Sequence, residues 1–116
     1  MSSMSKFVPK AEFILEMIER IEMIVARHGG VVKTLEDIEG EMAILMAIAQ
    51  IGETLQKIDD ELLDRYDLLR DKEGADYTRN YIVHEYEGVD LALIEHILKE
   101  HIPILKRKIS NLRDML

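Results

Sequence analysis

Arg79-Asn80-Tyr81-Ile82-Val83-His84-Glu85-Tyr86, followed by Glu87-Gly88-Val89-Asp90, crowds a permanent cation, an amide, a titratable imidazole and a phenol into eight residues. Turned at about 100° per residue, Arg79, Asn80, Val83, His84, Tyr86 and Glu87 fall in one arc, and Tyr81, Ile82 and Glu85 in the other. Arg79 and His84 are five apart, so they flank that arc. Asn80 lies between them, four residues from His84 and within side-chain reach on a helix. A phosphate over this face would meet the guanidinium on one side and the imidazole on the other. The plainer alternative is an arginine paired with a neighbouring acid and a histidine buried beside it. Spacing alone favours that alternative.

The elements that must hold this stretch are amphipathic helices. With 116 residues the chain suits one domain, 1–116, able to bury a core without staples. The absence of cysteine excludes disulfides and thiolate metal sites. No signal-peptide pattern opens the chain. The longest apolar run, Met42 to Ala49, is too short to span a bilayer, so a soluble cytoplasmic protein is expected. The net charge of −8 runs against the basic footprint of a nucleic-acid binder. Lys106-Arg107-Lys108 with Arg113 is the one local basic cluster. A role on RNA therefore requires cations concentrated at the site or brought by a second subunit.

Residues 1 to 8 read as a frayed start. Pro9 suits a first helical position, and Ile14, Met17, Ile18, Ile21, Ile24 and Val25 make an apolar stripe that Gly29-Gly30 terminates. Thr34 is the expected N-cap of a second helix from Leu35 to about Ile58. The Met42–Ala49 run in its middle is apolar all round and should be buried on every side. A small bundle achieves that most simply if this helix also joins a subunit interface. Gly40 and Gly52 would let another backbone approach closely. Asp59 to Asp71 reads as a short helix, Lys72-Glu73-Gly74 as a loop, and Asp76 to Glu87 as a third long helix stopped by Gly88. Asp90 then caps a fourth, whose stripe runs from Leu91 to Leu116 in steps of three and four. Pro103 inside that stripe predicts a kink or two abutting helices. With no strand pattern and no repeat, the fold expected is all-α, an antiparallel up-and-down bundle of four or five helices.

Metal chemistry finds little footing. His84-Glu85-Tyr86-Glu87 lacks the second histidine of a zinc H-E-x-x-H, and His96 and His101 are five apart. Asp67, Asp71, Glu73 and Asp76 do not follow a calcium-loop order. His28, His96 and His101 are expected as surface or capping histidines. No metal and no cofactor is predicted.

Arg79-Asn80-x-x-x-His84-x-Tyr86, followed by Val89-Asp90, resembles the signature of the HepT-like branch of the HEPN family. Ile51-Gly52-Glu53 is similar to that family's Ile-Gly-Glu on the second helix, and Ile102-Pro103 to its apolar-Pro step in the last. The resemblance implies a small HEPN-like helical bundle, a homodimer with the motif at its interface cleft, and a toxin that cleaves RNA without a metal. It also implies a nucleotidyltransferase antitoxin that adenylylates the tyrosine two places after the histidine, here Tyr86. Such cleavage needs the 2′-hydroxyl deprotonated, the leaving oxygen protonated and the phosphoryl charge stabilised. His84, with an ordinary pKa near ~6.5, suits the proton transfers. Arg79 offers a forked donor to phosphate oxygens. Asn80 would orient His84 or a phosphate oxygen, and Glu53 would help position Arg79. Two alternatives stay open: a non-catalytic module that binds a nucleotide or docks a nucleotidyltransferase, and a plain helical scaffold dimerising through the Met42–Ile51 segment.

Overall fold

In the computed structural model, which describes residues 3–116, the first long helix begins where Pro9 allows it. This α1 (Val8–His28) carries Pro at its first turn and turns Ala11, Ile14, Met17, Ile18 and Ile21 inward. It ends at Gly29, whose φ of +86° is left-handed, and the Gly29 and Gly30 N–H groups return to the carbonyls of Ala26 and Val25. Residues 3–8 are not frayed. Ser3–Phe7 forms a 3₁₀ turn, and Met4 and Phe7 lie partly buried against the core. Residues 1 and 2 lie outside the described residues.

The second junction departs from expectation. Val31–Glu36 is already a helix (α2), and Thr34 sits buried inside it, its hydroxyl donating to the Gly30 carbonyl at 2.7 Å. Bound to its own preceding turn, Thr34 cannot cap the next helix. Asp37 does so instead. It adopts an extended conformation and accepts the Gly40 N–H at 2.8 Å, starting α3 (Ile38–Leu55) three residues later than Leu35 and ending it before Ile58. His28 joins this corner, its Nδ1 2.8 Å from the Ile24 carbonyl and its Nε2 3.2 Å from Asp37, the capping role expected of it. Gly40 is needed here, because a Cβ would collide with the Thr34 carbonyl.

Burial of the Met42–Ala49 run is one-sided. Ile44, Leu45, Ala47 and Ile48 enter the core, whereas Met42 and Met46 are more than half exposed. A short α4 (Asp60–Arg65) comes next, capped by Asp59. A turn through Asp67, at φ +59°, then leads into α5 (Leu69–His84). This helix runs straight through Lys72-Glu73-Gly74, which is therefore not a loop. One exposed helical glycine costs about 1 kcal/mol, which the hydrogen bonds on both sides outweigh. At the other end α5 stops at His84, short of Glu87 and Gly88. Tyr86–Gly88 is a separate 3₁₀ turn, and the Asp90 N–H donates to the Tyr81 phenol oxygen at 2.8 Å, tying the chain back onto α5.

Asp90 then caps α6 (Leu91–His96) by accepting the Ala92 N–H. Before Pro103 the helix widens over Ile97–His101 into a π turn, where the Ile102 N–H reaches the Ile97 carbonyl five residues back. After it α7 (Ile102–Asp114) continues with Pro103 in its first turn. The extra residue removes the clash between proline and the regular turn while Ile94, Leu98, Ile102, Leu105, Ile109 and Leu112 stay buried on one side. α1 packs against α3 and α7, and α3 against α5, giving an all-α bundle with no strand among the described residues. No described helix is long and apolar enough to cross a membrane.

Candidate functional site

Gly52 decides where the arginine goes. A Cβ there would stand 2.7 Å from the Ala75 carbonyl and 3.1 Å from the Arg79 Cβ, so only glycine lets α3 and α5 meet this closely. The pairing is antiparallel: Gln56, just past the end of α3, donates to the Lys72 carbonyl, and Gly52 lies beside Ala75. One residue after Gly52, Glu53 accepts from the Arg79 Nη1 at 2.5 Å, and Asp76, one turn earlier on α5, accepts from Nη2 at 3.0 Å. The Asp76 hydrogen bond, helped by the Glu53 charge and opposed by desolvation, raises the Arg79 pKa above its ordinary value. Its Nε is buried with no partner among the described residues.

Two carboxylates on one guanidinium leave the trio with a net negative charge. Arg79 is thus held firmly, and an incoming phosphate would meet a site that is not yet cationic. Glu53 stands where it can position Arg79. Asp76, three residues before Arg79 on the helix, is the neighbouring acid of the plainer alternative, but His84 is exposed and not buried beside the arginine as that alternative required.

Asn80 and His84 are exposed on α5, with His84 its last residue. The five residues between Arg79 and His84 correspond to about 7.5 Å of axial rise. Tyr86 is half exposed on the 3₁₀ turn, so it and Glu87 leave the helical arc in which a continuous helix would have set them. Tyr81 lies at the edge of the core with its phenol engaged by Asp90. Within one chain Arg79 faces Glu53 and Asp76, while Asn80, His84 and Tyr86 face outward. A cavity of about 510 Å³ lies elsewhere on the bundle, and neither Arg79 nor His84 lines it. Three of the four cations of the basic cluster near the C-terminus are paired with acids: Lys106 with Glu22, Lys108 with Asp67 and Asp71, Arg113 with Asp114.

A family model described as "Ribonuclease HepT-like" matches residues 14–112. Two curated proteins of Methanocaldococcus jannaschii are also similar. One, named as a gamma-glutamylcyclotransferase and provisionally as an RNase, is 32% identical over 74 residues, 64% of this chain and 33% of its own length. The other, provisionally named an RNase, is 30% identical over 68 residues, 59% of this chain and 62% of its own. The aligned stretch thus spans about one third of the first relative and under two thirds of the second. No solved structure matches the chain.

Proposed function

The chain belongs to the HepT-like ribonuclease family, and from that premise we propose that it is a metal-independent RNA endonuclease, the toxin of a cytoplasmic toxin–antitoxin pair. The observation that carries this reading is the family match over residues 14–112, which takes in Glu53, Arg79, Asn80, His84 and Tyr86 in one span. The active unit is a homodimer of single helical domains, with RNA in a cleft between the paired α5 helices. His84 removes the proton of the 2′-hydroxyl as its oxygen bonds to phosphorus. The His84 of the second protomer protonates the departing 5′-oxygen, so that one motif histidine per chain serves both roles. Arg79, held by Glu53 and Asp76, donates to the phosphoryl oxygens as negative charge develops. Asn80 orients the imidazole or the phosphate. The exposure of His84, whose ring makes no hydrogen bond among the described residues, supports this assignment.

The partner in this reading is a nucleotidyltransferase antitoxin that transfers AMP to Tyr86. The half-exposed phenol on a turn just beyond His84 suits modification, and AMP there sets bulk and negative charge where RNA phosphate must lie. Co-expression with the antitoxin should add the mass of AMP, and Tyr86→Phe should abolish the increment. An unchanged intact mass removes this part of the reading.

The activity is tested by RNA cleavage in excess chelator. His84→Ala should lower the rate by roughly 10²–10⁴ and Arg79→Ala by about 10² or more. If both variants cleave as the parent does, the assigned roles are wrong. The acidic charge and the two carboxylates around Arg79 favour a second reading, a non-catalytic module that binds a nucleotide or docks a nucleotidyltransferase. Calorimetry with nucleotides, beside an RNA assay silent at high protein concentration, would select it.

A further inference from the structure

Around α5, the residues Arg70, Gly74 and Tyr77 fall on the side roughly opposite Arg79 at about 100° per residue, with Thr78 at the flank. On that side the bundle is open. α7 packs on α1, and α5 on α3, but between α5 and α7 lies a cavity of about 510 Å³. Its floor is aliphatic, with Ile48 and Ile51 from α3 facing Ile102 and Leu105 from α7. A space of this size, mostly apolar with a few polar groups at its edge, has the build of a small-molecule site.

The charge at the edge narrows what it takes. Lys108 donates to the Asp67 carbonyl at 2.8 Å and to the Asp71 carboxylate at 3.0 Å, and the Asp67 carboxylate lies 3.3 Å away, so Lys108 is fully engaged by acids. Arg70, by contrast, has no hydrogen bond or ion pair recorded with any described residue. His96 and His101 meet edge-on with ring centroids 5.1 Å apart. In a regular helix two residues five apart stand about 140° apart around the axis, and the π turn between these two brings them together at the cavity wall. π turns recur at functional sites. Arg70 is thus the cation at the cavity edge left without an acid partner among the described residues.

We propose that this cavity binds a small amphipathic anion, a medium-length acyl chain or aryl body carrying one carboxylate. The apolar body lies on Ile48, Ile51 and Leu105, and Arg70 takes the carboxylate, for which its fork is the matching donor. The site uses none of the residues of the ribonuclease reading and stands or falls separately from it.

Gly74 supplies the blocking variant. It lines the cavity, and a Cβ built there meets nothing within 4 Å. Gly74→Leu therefore sets an aliphatic side chain on the cavity wall, its Cβ unobstructed, and removes a glycine from a helix interior. The test is titration of the 116-residue chain with decanoate, with decanol as the uncharged control, read by calorimetry and by isoleucine methyl shifts. The expected result is one decanoate per chain with shifts centred on Ile48, Ile51 and Ile102. Arg70→Gln should bind decanoate about ten-fold more weakly and decanol unchanged. Gly74→Leu should bind neither while melting at or above the parent temperature. The proposal is overturned by a parent that binds no decanoate at millimolar concentration, or by decanoate binding that persists in Gly74→Leu. It also fails if Arg70→Gln binds decanoate as tightly as the parent, or if the shifts centre on Ile38, on the outer face of α3.

Discussion

Arg79 shares its guanidinium between Glu53 and Asp76, and the two carboxylates act on it in different ways. Both fix its direction, yet together they leave the group with excess negative charge that repels RNA phosphate. Asp76→Asn keeps the size and removes one charge. We expect KM for RNA to fall about three-fold, as repulsion drops at the high effective dielectric of a half-exposed site. We expect kcat to fall about ten-fold because a neutral amide grips the guanidinium less well. A purely structural Asp76 would change both parameters together or neither. Asp37 presents a separate case. The Gly40 N–H, and after it the His28 ring, holds its carboxylate below the ordinary range against opposing desolvation. A depressed folded-state pKa means that the cap's ionic contribution is complete above the unfolded carboxylate's pKa and is lost as pH falls through the folded value. Urea midpoints measured from neutral pH into the acid limb should therefore fall less steeply for Asp37→Asn than for the parent. Parallel limbs would remove Asp37 from the acid response.

Two glycines show opposite behaviour at the scale of the helix. Gly52→Ala pushes a methyl into the Ala75 carbonyl, a backbone atom that cannot swing away, so α5 must shift. Overpacking of this kind costs roughly 1–3 kcal/mol and moves Arg79 relative to Glu53. Denaturant unfolding and RNA cleavage should both report the loss. Gly74→Ala meets open space in a helical backbone and should stabilise by about 0.5–1 kcal/mol. These positions also mark the limits of sequence reasoning. The long helices and the closeness of Gly40 and Gly52 to another backbone were legible, because apolar spacing and missing side chains act locally. Gly74 was misread as a loop because a glycine between charged residues looks the same in a turn and on a solvated helix. Only the packing of Leu68 and Ala75 on either side decides. Thr34 and Asp37 are equally good caps by type, and what selected Asp37 was the Gly29-Gly30 turn releasing the chain early enough for α2. The end of α5 at His84 depends on the Tyr81–Asp90 hydrogen bond, a contact across nine residues that no local pattern announces.

For the molecule as a whole, the unanswered surface is the outer side of α3. Ile38, Met42 and Met46 recur every four residues, each more than half exposed, and the same line continues toward Glu53, which holds Arg79. Val83 in the last turn of α5 and Tyr86 on the 3₁₀ turn beyond it are also half exposed or more. A row of large apolar side chains leading to the candidate site is the kind of surface that protein association covers. It also supplies a reason for the continuous apolar run from Met42 to Ala49, half of which the core of one chain leaves uncovered. If protomers pair through this row, a charge at its centre must be desolvated against methionine. Met46→Glu should then weaken the dimer by about 100-fold or more. Because Met46 faces solvent in the single chain, the substitution should leave the helical circular dichroism and the melting of the monomer unchanged. Light scattering across a concentration series gives the oligomeric state, and the RNA assay run on the same samples gives the activity. A composite site requires the two to be lost together, with cleavage recovered at concentrations that restore the dimer. A Met46→Glu protein that cleaves fully as a monomer would show that one chain carries the whole site. A parent that stays monomeric at micromolar concentration would remove the face of α3 as the pairing surface.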